Sequence, residues 1–444
     1  MTWRRTLTGI AAAIVVIGVA VTGWMVFQPG PTDFAVGESV NLASYHGPSP
    51  AGVPAELAHA DVVTRGEYLF RAADCAACHT AKGGTPLAGG RPFKLPFGTI
   101  YTPNITPDRD TGIGAWSDTE FLRAVHDGIG RGGKRLYPAF PYASYAMLSD
   151  ADVLAIKRYL FSLKPVHAPT IPNTFVFPFN QRWLMAIWST LFNRSGTFHP
   201  VTSQSVAWNR GAYLVEAAGH CGECHTPRNL MQAMNQRSKF AGGAAEGWNA
   251  YNISQDKGTG IGSWSQQEIA TYLRSGHSAG RGTASGPMAE VVELSTSHLT
   301  PADIQSIALY LKTVPAHASS VLPAAIAGPA PSAPKAVTGL DPLGKKIFEG
   351  ACVSCHSWTG AGSLVPEAQL TGARSVNDPS AVNVAQMILS GTGKQPAGRP
   401  YMPGFAASYS DTEVAATANY VTARFGSKPS RVTPKDVATL RLQN

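Results

Sequence analysis

The sequence predicts an all-α fold of three tandem helical units with long irregular loops, behind an N-terminal transmembrane helix. Three observations predict it: a cysteine motif that recurs three times, the same helical frame around each copy, and an uncharged apolar stretch near the first residue. The chain has 444 residues, 44% of them hydrophobic and 14% charged, which is typical of several globular domains. Its 45 glycines and 33 prolines predict the long loops.

The cysteine motif carries the chemistry. It accounts for all six cysteines: Cys75-Ala-Ala-Cys78-His79, Cys221-Gly-Glu-Cys224-His225 and Cys352-Val-Ser-Cys355-His356. C-x-x-C-H is the attachment signature of c-type haem, because two thiols about one helical turn apart can bond to the two vinyl groups of one porphyrin. The histidine that follows then faces the iron. We therefore predict three covalently bound haem c groups, with the six cysteines as attachment points and His79, His225 and His356 as iron ligands.

Two other interpretations of the cysteines are three disulfides and three zinc knuckles. A zinc site needs four ligands, whereas each motif supplies three and no second cysteine pair lies nearby. The net charge of +8 raises the separate question of a nucleic-acid partner. Lysines and arginines are scattered and form no recognition motif, so no nucleic acid is expected.

The three motifs share one frame, which indicates repeated units. A glycine lies in the short helix before each motif: Gly66, Gly211 and Gly344. An N-cap residue with an acidic partner predicts each closing helix: Ser149 with Asp152, Thr300 with Asp303, and Ser410 with Glu413. A tyrosine follows seven residues after each acidic partner: Tyr159, Tyr310 and Tyr420. In c-type cytochromes, which these units resemble, a small residue of the first helix crosses an aromatic residue of the last, so we expect each glycine to pack against its tyrosine.

The first two units are more similar to each other than to the third. Residues 111–120 (TGIGAWSDTE) match residues 259–268 (TGIGSWSQQE), and each stretch contains a capping-box pattern. The third unit lacks this stretch. The predicted divisions are an anchor or signal segment (1–30), unit 1 (55–168), an aromatic-rich connection (169–205), unit 2 (206–315), an Ala/Pro-rich linker (316–336) and unit 3 (337–430).

A low-spin electron-transfer haem needs a second axial ligand, and methionine raises its reduction potential. Met147, Met288 and Met402 each follow a motif histidine and precede a closing helix, so we predict them as the second ligands. Met402 is followed by proline, as is common in small cytochromes c. Met147 lies much nearer its closing helix than the others do. Core packing of Met147 is therefore the alternative interpretation. Phe140 occupies a position that could have held the ligand, and His126 is a weaker alternative ligand.

The N-terminal segment predicts membrane attachment. Residues 7–27 carry no charge and follow Arg4 and Arg5, and 21 apolar residues are enough to span a bilayer. The positive-inside rule then places the units on the periplasmic side of the inner membrane, with Trp24 near the outer interface. A secretory signal cleaved near residues 21–23 is the alternative, although the fit to a small-residue cleavage site is poor.

The connection between units 1 and 2 is unusually aromatic. It contains Phe175, Phe177, Phe179, Trp183, Trp188 and Phe192. One interpretation is a surface that docks on a membrane or a partner, near a quinone entrance. The other is an interdomain connection packed against units 1 and 2.

The order of these parts resembles the cytochrome c subunits of periplasmic membrane-bound dehydrogenases, over nearly the whole chain. The resemblance rests on the three motifs, the doubled TGIG stretch, and residues 137–142 (YPAFPY), 177–180 (FPFN), 208–213 (WNRGAY) and 219–229 (GHCGECHTPRN). It implies three tandem class I cytochrome c domains. It also implies an electron-transfer subunit that relays electrons from a catalytic dehydrogenase subunit, through three haems, to ubiquinone.

The resemblance leaves the catalytic partner open among three types. These are a molybdenum aldehyde dehydrogenase with an iron–sulfur subunit, a quinoprotein alcohol dehydrogenase, and a flavoprotein that oxidises sugar acids. Quinoprotein-linked members usually carry Met-Pro where this chain has Phe140-Pro141. That difference and the apparently uncleaved anchor favour the molybdenum type. Two other functions are a stand-alone triheme carrier and a haem peroxidase in which one iron lacks a methionine ligand.

Overall fold

The computed structural model describes residue 7 and residues 16–193, 196–319, 339–392 and 401–443. Helices predominate there. The strands of the described residues pair only into three two-stranded antiparallel sheets. The all-α class of the units therefore holds, with short hairpins in the loops.

The predicted transmembrane helix is wrong. In the part of the chain that the structure describes, no helix is long and apolar enough to cross a membrane. The described part of helix α1 covers residues 16–26. The predicted inner-membrane location depended on this helix and is corrected with it. Residues 1–6 and 8–15 of the predicted segment lie outside the described residues.

The end of α1 contacts unit 2. The guanidinium of Arg237 lies 5.2 Å from the centre of the Trp24 ring and donates a hydrogen bond of 2.6 Å to the carbonyl of Phe27. Trp24 therefore contacts protein at a position where the sequence predicted a membrane interface.

The helices follow the predicted frame. Unit 1 contains α2 (Val62–Ala72), α3 (Cys75–His79), α4 (Asp118–Asp127), α5 (Tyr142–Tyr145) and α6 (Asp150–Ser162). The connection contains α7 (Leu184–Phe192). Unit 2 contains α8 (Val206–Tyr213), α9 (Gly222–His225), α10 (Gln266–Ser275), α11 (Pro287–Leu294) and α12 (Pro301–Leu311). Unit 3 contains α13 (Pro342–Ile347), α14 (Val353–His356), α15 (Val382–Ser390) and α16 (Asp411–Phe425), followed by α17 (Pro434–Arg441).

The strands are short. Strand β1 (Pro92–Leu95) pairs with β2 (Gly98–Tyr101), β3 (Gly243–Ala245) with β4 (Trp248–Ala250), and β5 (His277–Ser278) with β6 (Gly282–Thr283). The first two hairpins occupy equivalent places in units 1 and 2, downstream of the cysteine motif.

The predicted crossing of glycine and tyrosine is confirmed in all three units. A Cβ on Gly66 would overlap the backbone carbonyl of Ala155 and touch the Cβ of Tyr159. Gly211 faces Tyr310 and Gly344 faces Tyr420 in the same way. The first helix can approach the closing helix this closely because glycine has no side chain to separate the two backbones.

The predicted N-caps are also confirmed. The side chain of each N-cap residue accepts a hydrogen bond from the backbone N–H of its acidic partner: Ser149 from Asp152, Thr300 from Asp303 and Ser410 from Glu413. Only the third pair completes the reciprocal capping box among these closing helices. In units 1 and 2 the aspartates bond to a partner in the other unit.

A reciprocal pair of tyrosine–aspartate contacts joins units 1 and 2. Tyr213 of unit 2 donates its hydroxyl to Asp152 of unit 1 at 2.5 Å. Tyr68 of unit 1 donates its hydroxyl to Asp303 of unit 2 at 2.6 Å. Each hydroxyl also accepts a hydrogen bond from the backbone N–H of the N-cap residue. In a complete capping box, this N–H would donate to the acidic side chain instead. Both aspartates are only 2% exposed.

Arg210 completes one half of this junction. Its guanidinium donates two hydrogen bonds to Asp303, of 2.8 and 2.7 Å, and one each to the carbonyls of Pro50 and Gly52. The N–H of Gly52 in turn donates to Asp152 at 2.8 Å. The buried carboxylates are therefore satisfied, as burial of charge requires.

Because of this junction, units 1 and 2 share one hydrophobic core. That core includes Leu69 and Leu160 of unit 1 together with Tyr213 and Ile304 of unit 2. Unit 3 has its own core, centred on Phe348 and the inner face of α16. The predicted linker before unit 3 lies outside the described residues from 320 to 336.

The aromatic connection packs against both of its neighbours. The Trp188 ring meets Tyr142 of unit 1 edge to face at 6.0 Å, and its Nε1–H donates to the carbonyl of Met231 in unit 2. Phe177 and Trp183 nevertheless remain exposed, at 77% and 62%. The part of the connection around Trp188 is therefore packed between units 1 and 2, as the second interpretation predicted.

The helix crossing generates a test. Gly344→Ala should lower the free energy of unfolding by about 1–3 kcal/mol, the usual cost of overpacking. Gly350→Ala is the matched control, because its Cβ would meet nothing within 4 Å. Thermal unfolding of the two variants measures the difference. Equal unfolding temperatures would contradict the close crossing.

The reciprocal junction generates a second test. Tyr213→Phe should destabilise the chain by about 1–3 kcal/mol, the cost of leaving a buried polar group without its partner. Tyr68→Phe should cost less, because Asp303 keeps two bonds from Arg210 whereas Asp152 keeps the Gly52 N–H. Denaturant unfolding checks the order of the two variants. A reversed order would rule out this account of the junction.

Candidate haem-binding sites

The three motif histidines have the same local geometry. Each directs its Nδ1 to a backbone carbonyl, at 2.8 Å for His79 with Pro103, 2.6 Å for His225 with Tyr251 and 2.7 Å for His356 with Ala368. A carbonyl only accepts hydrogen bonds, so Nδ1 carries the proton and Nε2 keeps its lone pair. Such a bond fixes the ring orientation and the tautomer of a metal-ligating histidine.

Burial shifts the pKa values of the motif residues. It lowers the pKa of His79, His225 and His356, against the opposing effect of the carbonyl bonds, and thus favours the neutral imidazole that binds metal. Burial also raises thiol pKa values, to about 12 for Cys78 and Cys221 and to about 11 for Cys224 and Cys352. All six cysteines are free and half-buried. Thiols with raised pKa values are poor candidates for a redox dithiol.

A buried asparagine supports the histidine loop in each of the first two units. Asn104 follows Pro103 and donates to the carbonyl of Val166 at 2.7 Å and to the hydroxyl of Thr111 at 3.1 Å. Asn252 follows Tyr251 and makes the equivalent bonds, to His317 and Thr259. The TGIG stretch thus helps to hold the carbonyls that orient His79 and His225.

These asparagines were not predicted from the sequence. The signal was present, because the repeat extends upstream of the TGIG stretch as Asn-Ile-Thr in residues 104–106 and Asn-Ile-Ser in residues 252–254. An aspartate at the same spacing in both units, Asp108 or Asp256, accepts bonds from the threonine that opens the TGIG stretch. The whole loop is therefore one repeated structure.

The structure brings the predicted residues of the third site together. Cys352, Cys355, His356 and Met402 line one cavity of about 1250 Å³. The opposite wall belongs to unit 2 and includes Arg274, Val292 and Ile304, from α10, α11 and α12. The donor set is two thiols, an oriented imidazole and a thioether, which fits a covalently attached haem with His/Met ligation.

Met147 has a different environment. It borders a cavity of about 370 Å³ together with Phe140, and the described lining of that cavity does not include Cys75, Cys78 or His79. Met147 therefore remains a predicted ligand of the first haem. Phe140 packs against Tyr145, whose hydroxyl donates to the carbonyl of Ala73, just before the first motif.

Met288 and His126 are the other candidate iron ligands. Met288 is the second residue of α11 and is half-buried. His126 lies at the end of α4, with its Nδ1 3.7 Å from a carboxylate oxygen of Asp150.

Together, three oriented histidines beside paired thiols in helical units define a c-type cytochrome. A family model described as cytochrome c matches residues 63–164 and 343–424. The chain is 37% identical to the gluconate 2-dehydrogenase cytochrome c subunit of Pantoea cypripedii, over 88% of this chain and 92% of that protein. It is 36% identical to the fructose dehydrogenase cytochrome subunit of Gluconobacter japonicus, over 89% and 84%.

A further relative is one of the subunits of the nicotinate dehydrogenase of Pseudomonas putida, at 43% identity over 84% of this chain. The chain spans only 31% of that protein's length. The chain belongs to the family of cytochrome c subunits of dehydrogenases, as the resemblance of its motifs predicted. Membership implies covalently bound haem c and a role in electron transfer.

Proposed function

We propose that this chain is the electron-transfer subunit of a dehydrogenase complex and carries three haem c groups. A separate catalytic subunit would supply the electrons, and ubiquinone would accept them. The observation that carries the proposal is the repeated histidine geometry, in which each Nδ1 is bonded to a carbonyl beside a pair of free thiols. The relatives named as cytochrome subunits of gluconate and fructose dehydrogenases support the catalytic partner.

The chain's own residues would perform three tasks. The six cysteines would attach the haems, His79, His225 and His356 would ligate them, and Met147, Met288 and Met402 would complete the ligation. Haem c supplies one-electron redox chemistry when bound. The backbone carbonyls fix the orientation of the imidazoles, which would hold each iron ligand in place when haem is bound.

The proposed domain organisation remains that of the sequence: haem units at 55–168, 206–315 and 337–430. The separate core of unit 3 supports its independence. Units 1 and 2 are proposed as two haem units despite their common core, because each has its own motif, hairpin and TGIG loop.

For the catalytic subunit we propose a molybdenum dehydrogenase that oxidises aldehydes and carries an iron–sulfur partner. The support is Phe140, which replaces the methionine that quinoprotein-linked members usually carry. A quinoprotein alcohol dehydrogenase is the second candidate. The chain is 35% identical to the cytochrome c subunit of the alcohol dehydrogenase (quinone) of Gluconobacter oxydans, over 86% of this chain and 82% of that protein.

Metal and flavin analysis of the complex that co-purifies with this chain from native cells in mild detergent tests the proposal. We expect a larger chain, molybdenum, and more than three iron atoms per cytochrome chain. Calcium or flavin without molybdenum would keep the role in a dehydrogenase complex and replace the proposed partner. Haem iron alone, without a larger chain, would overturn the proposal in favour of a stand-alone carrier.

Ligand variants test the haem assignments. The wild-type chain should bind three haems, each with the absorption of methionine-to-ferric-iron charge transfer. Met402→Ala and Met288→Ala should each remove this absorption from one haem. Met147→Ala should do the same for the first haem. If the absorption is already missing from one haem in the wild type, Met147 is not a ligand and the peroxidase alternative gains support.

A further inference from the structure

Tyr251 links the second candidate haem site to unit 3. Its backbone carbonyl accepts the Nδ1–H of His225 at 2.6 Å. Its side-chain hydroxyl donates to Asp378 of unit 3 at 3.1 Å, and the guanidinium of Arg374 of unit 3 lies 4.6 Å from the centre of its ring. The residue that orients the histidine of the second motif is therefore held by side chains of the third unit.

Asp378 is fully buried at the contact between units 2 and 3. Its Oδ2 accepts hydrogen bonds from the Tyr251 hydroxyl and from Nδ2 of Asn249, and its Oδ1 accepts the backbone N–H of Ser380. Beside it, the side chain of Asn383 and the backbone of Asn249 exchange two hydrogen bonds, of 2.8 and 2.9 Å. A buried carboxylate with donors on both oxygens has a fixed position. It can therefore fix the tyrosine ring.

The third candidate haem site has reciprocal support from unit 2. The carbonyl of Ala368 accepts the Nδ1–H of His356 at 2.7 Å. The carbonyl of the residue before Ala368 accepts a hydrogen bond of 3.1 Å from the hydroxyl of Thr283, on β6 of unit 2. The side-chain oxygen of Gln369 accepts the N–H of Gly280, in the turn between β5 and β6, at 3.1 Å. The segment that orients His356 is thus held on both sides by one hairpin of unit 2.

The contact through Tyr251 is not part of the repeated haem frame. Pro103 of unit 1 corresponds to Tyr251, because each immediately precedes the buried asparagine of its loop and each supplies the carbonyl for its motif histidine. A proline side chain has no hydrogen-bond donor, so it cannot make the same bond to another unit. This support therefore belongs to the junction of units 2 and 3.

We propose that Asp378 of unit 3 is a positioning residue for the iron ligand of unit 2, His225, and acts through Tyr251. Thr283 of unit 2 is likewise a positioning residue for His356, the iron ligand of unit 3. A hydrogen bond from Nδ1–H to a carbonyl makes an imidazole ligand more basic, which favours ferric iron. A carbonyl that is held less firmly weakens that bond, so the reduction potential of the haem rises. This inference rests on the proposed haem attachment at the second and third motifs.

Spectroelectrochemical titration of the full chain with its haems tests the proposal. Tyr251→Phe removes the hydroxyl without changing any charge, and it should raise the potential of the second haem by up to about tenfold in the reduction equilibrium, or about 59 mV for one electron. Asp378→Ala should raise the potential of the second haem more than that of the third, although Asp378 belongs to unit 3. Thr283→Val should raise the potential of the third haem and leave the second unchanged. Thr283→Ser keeps the hydroxyl and should retain the wild-type potential.

Assignments and a control make the result specific. Met288→His and Met402→His identify the second and third couples, because loss of methionine ligation lowers the potential of that haem. Tyr137→Phe is the matched control for Tyr251→Phe, since it removes a tyrosine hydroxyl that donates at 3.0 Å to the carbonyl of Phe179, away from units 2 and 3. It should leave the second and third potentials unchanged.

Crossed shifts, in which Asp378→Ala acts on the second haem and Thr283→Val on the third, would support the proposal. Unchanged potentials with a loss of thermal stability would overturn it, because the contacts would then only join the units. A shift in Asp378→Ala without one in Tyr251→Phe would also overturn it, since the charge of the carboxylate would then act directly. A wild-type chain with fewer than three haems would instead overturn the proposed function, so the two failures are distinguishable.

Discussion

Two buried carboxylates, Asp152 and Asp303, determine how the first two units are arranged. A carboxylate at 2% exposure is costly unless its oxygens are bonded, and each of these accepts a hydrogen bond from a tyrosine hydroxyl of the opposite unit. The two contacts are reciprocal, so neither unit can move without breaking one of them. The shared core, and the pairing of Arg91 with Glu246 and Glu290 of unit 2, depend on this arrangement.

Unit 3 is attached differently. Its opening and closing helices cross at Gly344 as in the other units, but its N-cap pair completes a local capping box. Helices of unit 2 nevertheless form one wall of the cavity at the third motif. Unit 2 therefore contacts both neighbours at their candidate haem sites, through α11 in each case, because Arg91 also donates to the carbonyl of Ala77 in the first motif.

Predictions that rested on short-range patterns were reliable. The N-caps follow from spacing along one helix, and the glycine–tyrosine crossings were implied by the resemblance to c-type cytochromes; the structure contains both. The predicted transmembrane helix was wrong, since absence of charge does not by itself make a membrane-spanning helix, and the residues that the structure describes contain none that is long and apolar enough. The sequence predicted Asp152 as the local partner of the N-cap Ser149. In the structure, the backbone N–H of Ser149 donates instead to the hydroxyl of Tyr213. No local pattern reveals a partner 61 residues away.

The sequence by itself determined the chemistry, because attachment of haem c requires two thiols and a histidine at a fixed spacing in one helical turn. It also determined the repeated units, whose resemblance to c-type cytochromes implied the crossing of their helices. The tertiary structure alone decided which carbonyl orients each histidine, which unit walls the third cavity, and where Arg91 finds its carboxylates. Those contacts join residues 12 to 199 positions apart. They form only when the chain folds, since buried polar groups then need hydrogen-bond partners.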